Sequence, residues 1–218
     1  MKNTTCLLLA SAITIVAAAP ATAQSLTTTF AGGNSHNGNI FDVLVGNQAI
    51  SLNSLGLNVN TNAGTTGTFE FYFRQGTSTG FQSDAAGWTL FSTNTAVSAG
   101  SGAATAIDIT NLMLDANTRY GLYFTLTSDS LSYTNGTGVG NVAATNGDLT
   151  VFEGYGSAYR FGGSFEPRVV NATFEYTVAG AGAGAVPEPA TWAMMIGDIG
   201  MVGGAMRRRK VSTTVSFA

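Results

Sequence analysis

Thr68-Phe69-Glu70-Phe71-Tyr72-Phe73-Arg74 puts three phenylalanines on one parity and Thr68, Glu70, Tyr72 and Arg74 on the other. Successive side chains of a strand point to opposite faces, so this pattern predicts a strand with one buried face. The same rule sets Tyr120, Leu122, Phe124 and Leu126 on one face of a second strand, and Ala172, Phe174, Tyr176 and Val178 on one face of the last. Shorter candidates are Ile40 to Val45, Ile50 to Val59, Trp88 to Ser92, Ala106 to Ile109 and Leu149 to Phe152. Turn clusters separate them, among them Asn62 to Gly67, Thr134 to Gly138 and Asn146-Gly147-Asp148. Short strands in this number, with no helical stripe, predict an all-β fold: an antiparallel β-sandwich of jelly-roll type over residues 24–178.

Composition supports one such domain. Charged residues are 10% of the 218, Gly is 28, and 44% of residues are apolar with 10% aromatic. Charge this sparse argues against helix bundles and coiled coils, where charged residues exceed the usual quarter of the chain. The apolar content is enough to bury a core, which argues against disorder. The formal charge of −3 averages unlike regions. Between Gln24 and Val186 stand Arg74, Arg119, Arg160 and Arg168 against ten carboxylates, with no lysine. Such a surface repels a phosphate backbone, so nucleic acid is not an expected partner. Cations and neutral glycans are easier to accommodate.

Both ends carry targeting patterns. Residues 1–23 open with Lys2, run apolar from Cys6 to Ala19 and close on Ala21-Thr22-Ala23, the pattern of a secretory signal peptide. Cys6 is the sole cysteine, so its removal leaves no thiol and no disulfide. At the other end an Ala/Gly linker, 179–186, precedes Pro187-Glu188-Pro189-Ala190-Thr191-Trp192-Ala193. The prolines prevent an early helix start, after which residues 190–206 can run as an apolar helix of about 25 Å, the short limit for spanning a bilayer. Arg207, Arg208, Arg209 and Lys210 would hold its far end in the cytoplasm, with Trp192 at the outer interface. Residues 211–218 form a tail.

This C-terminus resembles the sorting signal of the PEP-CTERM proteins of Gram-negative, exopolysaccharide-producing bacteria, in the variant reading Pro-Glu-Pro-x-x-Trp-Ala. Motif, apolar helix and basic cluster occur here in the family's order, over residues 187–210. The resemblance implies recognition by an exosortase, transient residence in the inner membrane through a single C-terminal transmembrane helix, processing near Pro187-Glu188-Pro189, and delivery to the cell surface or extracellular matrix. Two departures are Asp198, a mid-helix carboxylate costing roughly 2.5–3.5 kcal/mol on insertion scales, and the tail beyond Lys210. The middle of the chain is also similar to the β-sandwich ectodomains that precede such tails, in Gly38 to Asp42, Gly67 to Phe73 with Gly87 to Leu90, Leu131 to Gly136 and Phe161 to Arg168. Those ectodomains share no enzymatic activity to carry over.

Residues able to do chemistry are few. His36, the single histidine, lies in Gly32 to Gly38, a loop composition, and a triad or a zinc site needs more than it offers. Glycosidases need two carboxylates, and Glu70, Glu153, Glu166 and Glu175 are available, though Glu70 with Arg74 reads as an exposed pair and Glu166-Pro167-Arg168 as the start of a strand. Calcium is a possible cofactor through loop oxygens of Asp42, Asp84, Asp129 and Asp148; their ordinary use is in turns. Glycan binding is the sharper expectation, with Trp88, Tyr133 and Tyr155 as stacking rings and Tyr159 and Arg160 beside them in the Gly-flanked segment Gly154 to Gly162. Each ring has core packing as its competing role. The sequence therefore predicts a non-catalytic structural, adhesive or exopolysaccharide-binding component of the biofilm matrix. Its alternatives are a carbohydrate-active enzyme with paired carboxylates and a matrix protein self-associating through strand edges.

Overall fold

Residues 22–179 are described in the structure, a computed structural model. Most of the signal segment, the linker beyond Ala179, the sorting motif, the apolar helix, the basic cluster and the tail lie outside the described residues, and so do Cys6 and Asp198. Among the described residues no helix is long and apolar enough to cross a membrane. The strands are β1 (Thr22–Thr27), β2 (Asn34–His36), β3 (Gly38–Val45), β4 (Ile50–Asn58), β5 (Thr66–Gln75), β6 (Thr89–Val97), β7 (Ala104–Leu114), β8 (Arg119–Leu126), β9 (Leu131–Asn135), β10 (Val142–Thr145), β11 (Leu149–Phe152), β12 (Gly154–Ser157), β13 (Ser164–Val170) and β14 (Ala172–Val178).

They build two antiparallel sheets, as expected of a sandwich. The smaller has the order β1-β14-β4-β7; the larger runs β2-β9-β13-β12-β3-β8-β5-β6, with β11 also on β3 and β10 on β11. Every expected strand is present. Trp88 falls outside β6, as the residue closing a one-turn 3-10 helix at Ala85–Gly87, and Val59 forms only an isolated bridge to Leu131. Strands β1, β2, β9, β10 and β12 lie outside the expected set, and β13 begins at Ser164, before the strand start expected at Glu166. Glu166-Pro167-Arg168 is the middle of β13, where the register against β12 shifts between Phe165 and Arg168. A proline, which has no N–H for the ladder, is tolerated at such an irregularity.

The parity rule holds across the core. Phe69 and Phe71 of β5, Leu122, Phe124 and Leu126 of β8, and Phe174, Tyr176 and Val178 of β14 are all buried in one cluster between the sheets. At its centre Phe124 meets Phe71 and Phe41 edge to face at 5.3 and 5.1 Å, and Phe174 of the small sheet reaches Phe41 at 5.9 Å. Edge-to-face contacts add about 0.5–1.5 kcal/mol per pair beyond the area they bury.

The outer face of the large sheet is also covered. Ile40, Tyr72, Trp88, Tyr123, Tyr155 and Phe161 form a second buried cluster, with Phe81 packed on it. Its lid comes from two connections, residues 76–88 and 158–163, tied together by Ser83 Oγ donating to the Gly162 carbonyl at 3.3 Å. Tyr72 thus lies on the polar parity of β5 and is nevertheless buried.

Beyond β3 the large sheet cannot be flat. Three strands stand between β2 and β3 in the sheet order, which at about 4.8 Å per strand would separate them by about 19 Å. Asn37 alone joins them in sequence, and one intervening residue reaches about 7 Å. The sheet therefore curls, bringing β2 back beside β12. Gly38 is required at the bend, because a Cβ there would lie 2.6 Å from both the Phe124 carbonyl oxygen and the Tyr123 ring.

Phe124→Ala should lower the unfolding free energy of the full chain by about 3–5 kcal/mol in urea titration. The half-exposed Leu90, changed to Ala, should cost within about 0.5 kcal/mol. A cost below about 1 kcal/mol for Phe124→Ala would contradict this core.

Candidate functional site

At the curled end of the large sheet the chain leaves β12 after Ser157 and makes a tight connection to β13. Phe161 adopts φ 56°, unusual for a bulky residue. Its ring is held among Tyr123 at 4.9 Å, Tyr72 at 5.2 Å and Trp88 at 5.9 Å. With Phe161 turned inward, Tyr159 and Arg160 face out, and Tyr159 is 41% exposed.

These two residues join a polar cluster seated on β5. Glu70 accepts from the Tyr72 hydroxyl at 2.6 Å and from the Tyr159 hydroxyl at 3.2 Å. Arg160 Nη1 donates to the Tyr72 hydroxyl at 3.3 Å and stands 4.0 Å from Glu70. Burial, reinforced by the bond to Glu70, pushes the Tyr72 hydroxyl up to about 12. Desolvation and the charge of Glu70 raise Tyr159 as well, while the bond to Tyr72 and the neighbouring Glu70 raise Arg160. All three groups therefore keep their protons at neutral pH, and the cluster is a fixed network of donors around one carboxylate.

Asn37 links this cluster to a second exposed ring. Its Oδ1 accepts from the Tyr159 backbone N–H at 3.3 Å and lies 3.1 Å from His36 Nδ1. The His36 ring stacks on Phe165 at 5.1 Å and 25°, and Phe165 is 44% exposed. The rim thus presents Tyr159 and Phe165 as open rings, with Glu70, Arg160 and Asn37 between and beside them.

Trp88, Tyr133 and Tyr155, expected as stacking rings, are only 9%, 1% and 4% exposed. Trp88 packs on Tyr123 and donates to the Phe81 carbonyl; Tyr155 is in the outer cluster; Tyr133 has Arg168 over its ring. Packing at these three positions takes the faces that a sugar would need. Gly154 to Gly162 divides accordingly, with Tyr155 and Phe161 inside and Tyr159 and Arg160 outside. Glu70 and Arg74 do not pair: Arg74 lies over the Phe81 ring at 3.2 Å, and Glu70 takes Arg160. His36, expected in a loop, sits in β2. His36, Asn37, Glu70 and Phe165 are the rim residues that sequence reading did not assign to glycan contact.

The four aspartates proposed for calcium have separate local roles. Asp42 accepts from Thr77, the Ser78 N–H and Arg119; Asp84 caps the 3-10 turn; Asp129 accepts from the Ser130 N–H; Asp148 follows the Gly147 turn. Among the described residues no three His, Cys, Asp or Glu side chains gather to hold a metal ion. Glu153 is likewise spent, accepting from the Thr137 and Gly138 N–H groups at 2.6 and 2.8 Å. Glu175 is exposed on β14 of the small sheet, away from Glu70 on the large one.

No family model matches the chain, and no curated protein matches it.

The buried hydroxyl gives a pH prediction. Tyr72 keeps its proton to about pH 12 when folded but loses it near 10 when unfolded. Above pH 10 the unfolded state therefore binds fewer protons, so its contribution to stability is complete below 10 and is lost as pH rises to about 12. Tyr72→Phe should flatten the fall in urea midpoint between pH 9.5 and about 11.5. Equal slopes in both proteins would refute this environment for Tyr72.

Proposed function

We propose that this chain is an exported, exosortase-sorted protein of the cell surface or extracellular matrix, and that its sandwich is a non-catalytic module holding exopolysaccharide at the rim. The C-terminal motif at Pro187, Glu188, Pro189, Trp192 and Ala193 supports the address. One observation carries the binding reading: Tyr159 presents an open ring whose hydroxyl is fixed by Glu70, next to Arg160 and the Asn37-linked His36–Phe165 stack. Sugars offer one apolar ring face and a fringe of hydroxyls, and a rigid aromatic with fixed polar neighbours matches both at low entropic cost.

The reading of the sandwich as a jelly roll draws support from its strand pairs. The pairs β1·β14, β3·β8, β4·β7 and β5·β6 are nested in sequence, as in one long antiparallel ribbon wrapped into two sheets. Strands β9 to β13 are then an insertion between the seventh and eighth strands of the ribbon, and that insertion carries Tyr159, Arg160 and Phe165.

Full-length protein should be retained on matrix polysaccharide from its native host without releasing new reducing or unsaturated ends. Tyr159→Ala should weaken retention about tenfold, the loss of roughly 1.4 kcal/mol of stacking and hydrogen bonding, with an unchanged melting temperature. New chain ends would point instead to a carbohydrate-active enzyme. Concentration-dependent sedimentation without retention would point to self-association. Exported protein from the host should have a mass lacking Arg207 to Ala218; an intact mass would refute the processing.

A further inference from the structure

We propose that a cleft beside the rim is a second subsite for the same polysaccharide, and that the chain it accepts is uncharged; this rests on reading the rim as a glycan platform. The cleft, about 260 Å³, opens between the β1–β2 connection, the end of β4 and the Ser101-Gly102 turn. Self-sufficient small-molecule sites run from about 300 to 1,000 Å³, so this volume suits one part of a longer ligand.

Its lining is neutral and polar, with no charged side chain. Hydrogen bonds hold that lining in place. Asn58 Oδ1 accepts from the Gly102 N–H at 2.8 Å, and Asn60 Nδ2 donates to Ser35 Oγ at 3.1 Å. Asn60 is exposed, and its amide keeps an oxygen and a second N–H beyond the bond to Ser35, the complement that a sugar hydroxyl uses.

The cleft and the rim are joined by β2. Asn34 and Ser35 line the cleft, and His36, the next residue, stacks on Phe165. Asn34 and His36 are about 7 Å apart along the strand, so one extended ligand can touch both. Charge decides its class. The cleft has no arginine in its lining, and among the described residues the two arginines with carboxylate partners are Arg119, on Asp42, and Arg160, beside Glu70. A uronate chain would meet the Glu70 carboxylate at the rim and no cation in the cleft lining, whereas neutral hydroxyls suffer no such repulsion.

The test is calorimetric titration of the full chain with sized fragments of native-host exopolysaccharide and with maltohexaose, cellohexaose and hexagalacturonate as defined probes. Variants are Ser101→Tyr, which fills the cleft from an exposed turn, and Asn60→Ala. Long neutral fragments should bind about tenfold tighter than disaccharides, and both variants should remove that gain while leaving disaccharide binding and melting temperature unchanged. Hexagalacturonate should bind at least tenfold more weakly than the best neutral chain. Wild-type affinity for long fragments in Ser101→Tyr, or equal binding of hexagalacturonate, would overturn the inference while leaving the rim reading intact. No binding of any fragment to the unmodified chain would overturn both.

Discussion

Among the described residues, the large and small sheets meet ring to ring where Phe174 contacts Phe41 and Phe124, and Phe124 in turn meets Phe41 and Phe71 edge to face. The single cysteine of the chain lies outside the described residues, so no disulfide can share this work. Burial of alternating faces must hold the sheets together, and each fully buried phenylalanine contributes roughly 1.5–3 kcal/mol toward that. Strands of both sheets contribute to the same buried cluster, including Leu131 of β9, Leu149 and Val151 of β11 and Val170 of β13.

Rim geometry follows at one remove. Because the outer face of the large sheet is apolar around Tyr123, the connection after β12 must drive a large side chain into it. Phe161 does so, and the turn that this imposes sends Tyr159 and Arg160 to the surface above Glu70. The curl forced by the single residue Asn37 then brings His36 and Phe165 to the same rim. Exposed and packing side chains therefore divide one short segment between them, with Tyr155 and Phe161 inside and Tyr159 and Arg160 outside.

The framework was legible because one face of each of β5, β8 and β14 is apolar at every second residue, the period of a strand. Parity fails where a strand is buried on both sides: Tyr72, on the polar parity of β5, is enclosed by loops 76–88 and 158–163, whose path is a tertiary matter. Of strands β9 to β13, β11 at Leu149 to Phe152 and the strand entry at Glu166 were legible, whereas β9, β10 and β12 were not, for a related reason. Gly154 to Ser157 has two glycines in four residues and no alternation of size to read. Among the candidate glycan residues, Tyr159 and Arg160 stand at the surface, while Trp88, Tyr133 and Tyr155 are large rings enlisted for packing. Composition cannot separate these uses, since a ring suited to stack on sugar is equally suited to fill a sheet interface. Phe165, Glu70 and Asn37 are close only through the curl, and nothing in their spacing announces it.

Hydrogen exchange on the full chain, with and without native-host polysaccharide, tests the central claim most directly, because it reports where the ligand sits. The account predicts added protection at the amides of residues 34–38 and 157–165, with β5, β8 and β14 unchanged in both states. Protection confined to other surfaces, or none at saturating polysaccharide, would contradict it.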